Sequence, residues 1–390
     1  MRLIAFLTLA LQICGGAHCG HEQCHKDRQE TNSPESFGLD IFRVISDEGR
    51  SGNIFISPAS LSTALALAAE GAVGTTKDCI LSPMGLDASS SNVFFKALSE
   101  GIATADSSCA LKVANSIWIH NGLDVKEKFL KEAAGGFNAS IATRDFDNLG
   151  TVNEINGWCS DKTDGLIDSI LDRLDSGTPM ALLNALYFKG TWNFSWSKAR
   201  NGHFACIDGS VKDVPLMHAA GHFEYSEDEF FQMARFPYGN GNFAMEVLLP
   251  KENVCFEDAV KNLDFHRWKA LEGSADFSNL SVTFPKFKIE SDAELSEILK
   301  KMGMGEAFSG KADFSGMSGT PLAIGMVRQK TFVDVNEYGT EAAAVTVIAM
   351  KNMAMPVPVE RIVFKADRPF IFAIRERSTG SLLFIGQKVL

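Results

Sequence analysis

No internal stretch of the 390-residue sequence is both long and apolar enough to span a membrane. Positive charge is scarce: 37 Lys and Arg stand against 48 Asp and Glu, a net of −11, and no cluster of Lys and Arg reverses this locally. That balance argues against nucleic acid or anionic lipid as a partner. There is no Gly-x-Ser-x-Gly elbow, P-loop or dinucleotide fingerprint. Gly303-Met304-Gly305 lacks the third Gly and a preceding parallel strand. No repeat, low-complexity tract or linker follows residue 35. The eight cysteines, Cys14, Cys19, Cys24, Cys79, Cys109, Cys159, Cys206 and Cys255, are too widely and irregularly spaced for a small disulfide-stapled scaffold.

Hydrophobic residues make up 45% and charged residues 22%, which suits a globular chain with a sizeable core. Arg2, the apolar run Leu3–Ile13 and the small residues Gly15 and Ala17 predict a secretory signal over 1–17, cleaved after Ala17. Bulky Ile13 argues against a lipoprotein signal at Cys14. Losing Cys14 leaves seven cysteines, an odd number, so at least one thiol is free or paired between chains. Residues 18–35 are polar and read as a disordered arm, followed by one domain over 36–390. Asn138-Ala139-Ser140, Asn193-Phe194-Ser195 and Asn279-Leu280-Ser281 fit the N-glycosylation pattern.

His21-Glu22-Gln23-Cys24-His25 matches the zinc-protease spelling. It sits just past the signal, in a segment with no apolar periodicity to make a buried helix. His218 and His222 have helical metal-pair spacing, but Gly221 between them points to a loop. Neither supports a metal site, and the chain reads as a non-enzyme without a cofactor.

Asn53–Ser60 reads as a short strand running into a helix, with Ser57 as cap and Pro58 at its first position. Leu61–Ala69 is apolar on nearly every face and so should be buried, with Gly71 as a stop. Ala181–Phe188 suits a central strand covered on both faces, with Asn184 as a buried amide needing partners. Phe370–Ile374 and Ser381–Ile385 flank a turn and predict a hairpin. Helices and strands without βα alternation make a single α+β domain.

The most telling run is Glu337-Tyr338-Gly339-Thr340-Glu341-Ala342-Ala343-Ala344-Val345-Thr346, after the strand-like Thr331–Val335. Its setting is that of an exposed loop, yet its side chains are small and free of Pro. As a strand it would place Thr340, Ala342, Ala344 and Thr346 on one face, small enough to pass under a covering layer, with Glu341 on the wet face.

This run resembles the hinge of the serpin reactive-centre loop, the segment that inserts into a central sheet after cleavage. Other segments resemble the family in order and spacing: Asn53–Ala72, Val113–Trp118, Ile155–Trp158 with Thr163 and Gly165, Leu183–Trp192, Phe284–Phe287, Ala312–Gly316 and Asp367–Phe370. The resemblance implies three β-sheets, eight or nine helices and a reactive-centre loop over about 337–360. It further implies a secreted, monomeric suicide inhibitor of serine proteases. Ser57, Ser60 and Asn184 match positions where the strands part, Trp192 matches the top of the sheet, and Gln329 stands where His is common. Counting from Glu337 puts the scissile bond at Met353-Ala354, which suits chymotrypsin-like or elastase-like enzymes. A register shift of two would make Lys351 the determinant for trypsin-like enzymes. A heparin-type cofactor is disfavoured, because Asp78–Thr104 holds one basic residue, Lys96. The rival reading is a non-inhibitory serpin acting as carrier, storage protein or chaperone.

Overall fold

The computed structural model describes residues 33–48, 52–137, 139–175, 177–340 and 360–390. Among the described residues the first regular element starts at Pro34, inside the stretch expected to be a disordered arm. The reason is a capping box. Ser36 N donates to Ser33 Oγ at 3.1 Å, and Ser33 N donates to Ser36 Oγ at 2.9 Å.

Nine α-helices occur among the described residues: α1 (Pro34–Asp47), α2 (Pro58–Gly71), α3 (Gly74–Leu81), α4 (Ser91–Ala105), α5 (Glu127–Gly136), α6 (Leu149–Lys162), α7 (Phe256–Lys261), α8 (Phe265–Gly273) and α9 (Ser296–Leu299). The strands fall into two hydrogen-bonded assemblies. The first contains β2 (Cys109–His120), β3 (Ser140–Arg144), β4 (Met180–Thr191), β10 (Phe287–Glu294), β11 (Met326–Asn336) and β12 (Gly339–Thr340), in the order β10-β11-β12-β4-β2-β3.

The second has nine strands: β1 (Ile54–Ile56), β5 (Arg200–Ala205), β6 (Val211–Glu227), β7 (Phe231–Tyr238), β8 (Phe243–Pro250), β9 (Asp276–Pro285), β13 (Ile362–Lys365), β14 (Phe370–Glu376) and β15 (Ser381–Lys388). The long β6 joins two groups within it. Val211–Leu216 pair with β5, Leu216–Tyr225 with β9, and Glu224–Glu227 with β7. By hydrogen bonding the described residues form two sheets, where the resemblance implied three, because β6 links β9 to β7 without a break.

β6 also corrects the reading of His218 and His222 as loop residues. Both lie in this strand, where four residues span about 13 Å. They cannot form a metal pair, and His218 Nδ1 instead lies 3.0 Å from Thr283 Oγ1. Gly221 is carried in the strand because β9 pairs with it on one side.

Helix α2 is apolar all round and is buried accordingly, packed against β15, β2 and β4. The Ile155–Trp158 motif has a local task. Asn156 Oδ1 accepts from Ile170 N at 2.9 Å and Leu171 N at 3.0 Å, fixing the loop after α6. The expected hairpin is present as antiparallel β14 and β15.

One buried ionic hub lies where α8 covers the second assembly. Glu246 on β8 is 1% exposed. It accepts from Arg235 Nε at 2.9 Å, Arg235 Nη2 at 2.6 Å, Arg375 Nε at 2.9 Å and Trp268 Nε1 at 2.9 Å. Glu35 on α1 also contacts Arg375, so the hub ties the first helix to the sheet.

Candidate functional site

β4 and β11 form a parallel seam, with Met326–Phe332 opposite Ala181–Tyr187. Above the seam the chain turns at Glu337 and Tyr338 and comes back between the two strands as β12. Gly339 and Thr340 pair antiparallel with Asn336 and Val335 on one side, and with Thr191 and Gly190 on the other. The hinge is therefore not wholly an exposed loop, as its setting suggested. Its first two residues are already strand.

Side-chain size explains the fit. A Cβ on Gly339 would lie 2.0 Å from Gly190 O. Thr340 is 0% exposed, and its Oγ1 lies 2.7 Å from Tyr238 OH. Burial pushes the Tyr238 phenol well up, so it stays a neutral hydroxyl. Trp192 stacks on the Tyr238 ring, with centroids 4.2 Å apart. Its Nε1 donates to Asn336 O at 2.9 Å. Trp192 thus clamps the turn from which the hinge starts.

Glu337 opens the hinge and is held by Lys286 Nζ at 2.6 Å. Burial is the largest single influence and would raise its carboxyl, but the hydrogen bonds from Lys286 and from backbone N–H groups, with the Lys286 charge, together hold it below the usual range. A depressed carboxylate stabilises above its unfolded pKa, and that contribution is lost as pH falls through the folded value. Between pH 6 and pH 3, heat stability should fall in the native protein by under about 1 kcal/mol more than in Glu337→Gln. Identical acid profiles for the two would show that this pair does not hold the hinge.

Below the hinge, the start of α2 bonds to both sides of the seam. Ser57 Oγ caps the helix, accepting from Ser60 N at 3.4 Å. Ser57 N donates to Gln329 Oε1 at 2.7 Å, and Gln329 Nε2 returns a bond to Ser57 O at 3.0 Å. Ser60 Oγ donates to Asn115 Oδ1 at 2.6 Å, and Asn184 Nδ2 donates to the same oxygen at 2.9 Å. Gln329 and Asn184 are register partners across the seam. Parting the seam separates these two amides: Gln329 keeps its bonds to Ser57, and Asn184 keeps its bond to Asn115 on β2, which Ser60 also reaches. Gln329→Leu leaves Ser57 N without its buried acceptor, while Ser57 O keeps the bond from Leu61 N, and should lower stability by about 1–3 kcal/mol. Urea unfolding measures this, and an unchanged midpoint would contradict it.

The structure thus brings together Ser57, Ser60, Asn184, Gln329, Trp192, Glu337, Gly339 and Thr340. Glu341, Ala342, Ala343, Ala344, Val345, Thr346, Lys351, Met353 and Ala354 lie outside the described residues, as do Asn138 and residues 1–32. Sequence reasoning missed Asn115, Tyr238 and Lys286 as members of the site. Asn115 carried a signal, since it sits in the strand-forming Val113–Trp118 segment. Five free cysteines and no group of three or more metal-ligating side chains occur among the described residues.

A family model described as serpin (serine protease inhibitor) matches residues 32–389. The chain belongs to the serpin family. Relatives include Iripin-1 of Ixodes ricinus, 34% identical over 92% of this chain and 93% of that protein. Human leukocyte elastase inhibitor is 32% identical over 92% of this chain and 98% of its own length. Among solved structures, the native state of the thermophilic serpin tengpin superposes with a TM-score of 0.84 at 30% identity, covering 91% of this chain and 92% of that one. Human thyroxine-binding globulin complexed with thyroxine gives a TM-score of 0.83 at 26% identity, covering 92% and 97%. The expected serpin fold is thus present, with its nine helices among the described residues and its mixed sheets. Serpins are mostly protease inhibitors, although some members do not inhibit.

Proposed function

We propose that this serpin is a secreted suicide substrate of serine proteases. The observation that carries the reading is β12: the first two hinge residues already lie in the slot between β11 and β4. The residues due to follow, Glu341 to Thr346, are small on the face that would turn inward. A target protease would attack the loop at Met353-Ala354 and form an acyl-enzyme through its serine. The freed hinge would then extend β12 downward, parting the Met326–Phe332 seam. The attached protease would be carried away and distorted before water reached the acyl bond. A parallel pairing would give way to two antiparallel ones, the better ladder per residue.

Met353 suits an apolar specificity pocket, which makes chymotrypsin-like or elastase-like enzymes the targets. The likeness to leukocyte elastase inhibitor supports this class. Lys351 would bring trypsin-like enzymes if the register shifted by two. Glycosylation is proposed at Asn138, at Asn193, which is exposed just after β4, and at Asn279, half-buried in β9.

The test is an SDS gel of the purified protein with chymotrypsin, an elastase and trypsin in parallel, with mass spectrometry of the released C-terminal peptide. A covalent band with a peptide beginning at Ala354 supports the trap and the bond. A peptide beginning at Asn352 moves the target to trypsin-like enzymes. Clean cleavage without a covalent band by any of the three would favour a non-inhibitory role.

A further inference from the structure

Lys388 on β15 is 5% exposed. Buried lysines ordinarily find a carboxylate. The side-chain nitrogen of Lys388 has no ion pair or hydrogen bond among the described residues. Its ammonium instead lies over the Phe204 ring of β5, 4.6 Å from the centroid. The groups around it offer no anion. Cys206, the free thiol just past β5, is also buried. Lys212 on β6 is opposite Phe204 and brings a like charge. Asp367, whose carbonyl accepts from Ala205 N, has its carboxylate engaged by Lys365 and Arg368. Ile207 N donates to Val389 O at 2.9 Å and holds this loop against β15, so the surroundings are fixed by backbone.

The amine is enclosed but not sealed. Among the described residues, the fully enclosed polar side-chain atoms without a partner are Arg43 Nε, Ser62 Oγ, Asn184 Oδ1 and Trp196 Nε1, and Lys388 Nζ is not one of them. Burial, opposed by Cys206 and reinforced by Lys212, brings its pKa down to about 8. At neutral pH the uncharged fraction is then roughly a hundredfold or more above that of an ordinary surface lysine.

We propose that Lys388 is a carbon dioxide site, where a sparsely solvated amine resting on an aromatic face forms a carbamate. The Nζ lone pair attacks the carbon of CO2, a C–N bond forms, and one C=O electron pair moves onto oxygen. The amine proton leaves to solvent: Lys388–NH2 + CO2 gives Lys388–NH–COO⁻ + H⁺. The product supplies the anion that the site lacks, close to the Lys212 cation.

The experiment incubates the intact protein in bicarbonate at neutral pH, traps carbamates with triethyloxonium and maps the ethylated peptides by mass spectrometry. Trapping at Lys388 should exceed that at the exposed Lys96 and Lys131 by about tenfold or more, and should rise as pH passes through about 8. Lys388→Met should abolish the signal. Trapping at Lys388 no greater than at Lys96 and Lys131 overturns the proposal. Preferential acetylation of Lys388 by acetic anhydride without any trapped carbamate also overturns it, since the amine would then be reactive but not a CO2 site.

Discussion

Thr340→Arg should abolish the covalent protease complex and leave a protein that is cut and released. Thr340 is fully buried in the slot, with its hydroxyl 2.7 Å from Tyr238 OH. An arginine there would have to bury a charge beside a neutral phenol, with no carboxylate to pair it. Such burial costs several kcal/mol. Because Thr340 already lies in the slot, the arginine would first expel β12, and insertion would then have to bury the charge before any later residue could follow. A barrier higher by about 4 kcal/mol slows insertion roughly a thousandfold. Hydrolysis of the acyl-enzyme then wins. Quantifying the covalent band against the cleaved band tests this, with Thr340→Ser as the conservative partner that should still trap. A Thr340→Arg protein that trapped proteases as efficiently as the native one would remove insertion from the mechanism.

Glu246→Ala should lower global stability by about 3–5 kcal/mol, because it strands two buried guanidinium groups. Arg235 and Arg375 both direct donors at Glu246, as does Trp268 Nε1. Glu246→Gln keeps an acceptor oxygen and should fall between the two. Urea midpoints and heat denaturation compare the three proteins. A loss below about 1 kcal/mol for Glu246→Ala would mean that Glu224, Glu272 and Glu35 hold the two arginines without it. The hub lies across the second assembly from the hinge, so trapping by the surviving folded protein should be unchanged.

Much of this architecture could be read in the residues, for identifiable reasons. Ala181–Phe188 is apolar on both faces and became β4, buried throughout. Leu61–Ala69 is apolar all round and became the buried helix α2, capped by Ser57 as expected. The hinge stood out because its side chains are small where loops are usually polar. Its pre-pairing did not, because the contacts that hold it are distant in sequence. Tyr238 is 102 residues from Thr340, and no local pattern marks a tyrosine as the partner of a particular threonine. The ionic hub was hidden for the same reason: Glu246 is one charge in the apolar run Phe243–Pro250. His218 and His222 were misplaced because Gly221 is a local turn signal, and pairing with β9 overrides local preference. The start of α1 was placed two residues late because polar composition masked the Ser33 and Ser36 capping pattern.

β14 lies between β8 and β15, and β15 lies between β14 and β1. Gln387 Nε2 donates to Gly52 O, a bond between residues 335 apart in sequence. A cut anywhere between residues 341 and 359 therefore severs the covalent chain without detaching its last portion. The two pieces would travel together as a nicked heterodimer, unchanged in mass on a sizing column. Their stoichiometry would be one to one by construction. Only a denaturant would part them, and neither piece could readily be exchanged for a fresh copy, since β14 and β15 are interior strands flanked on both sides.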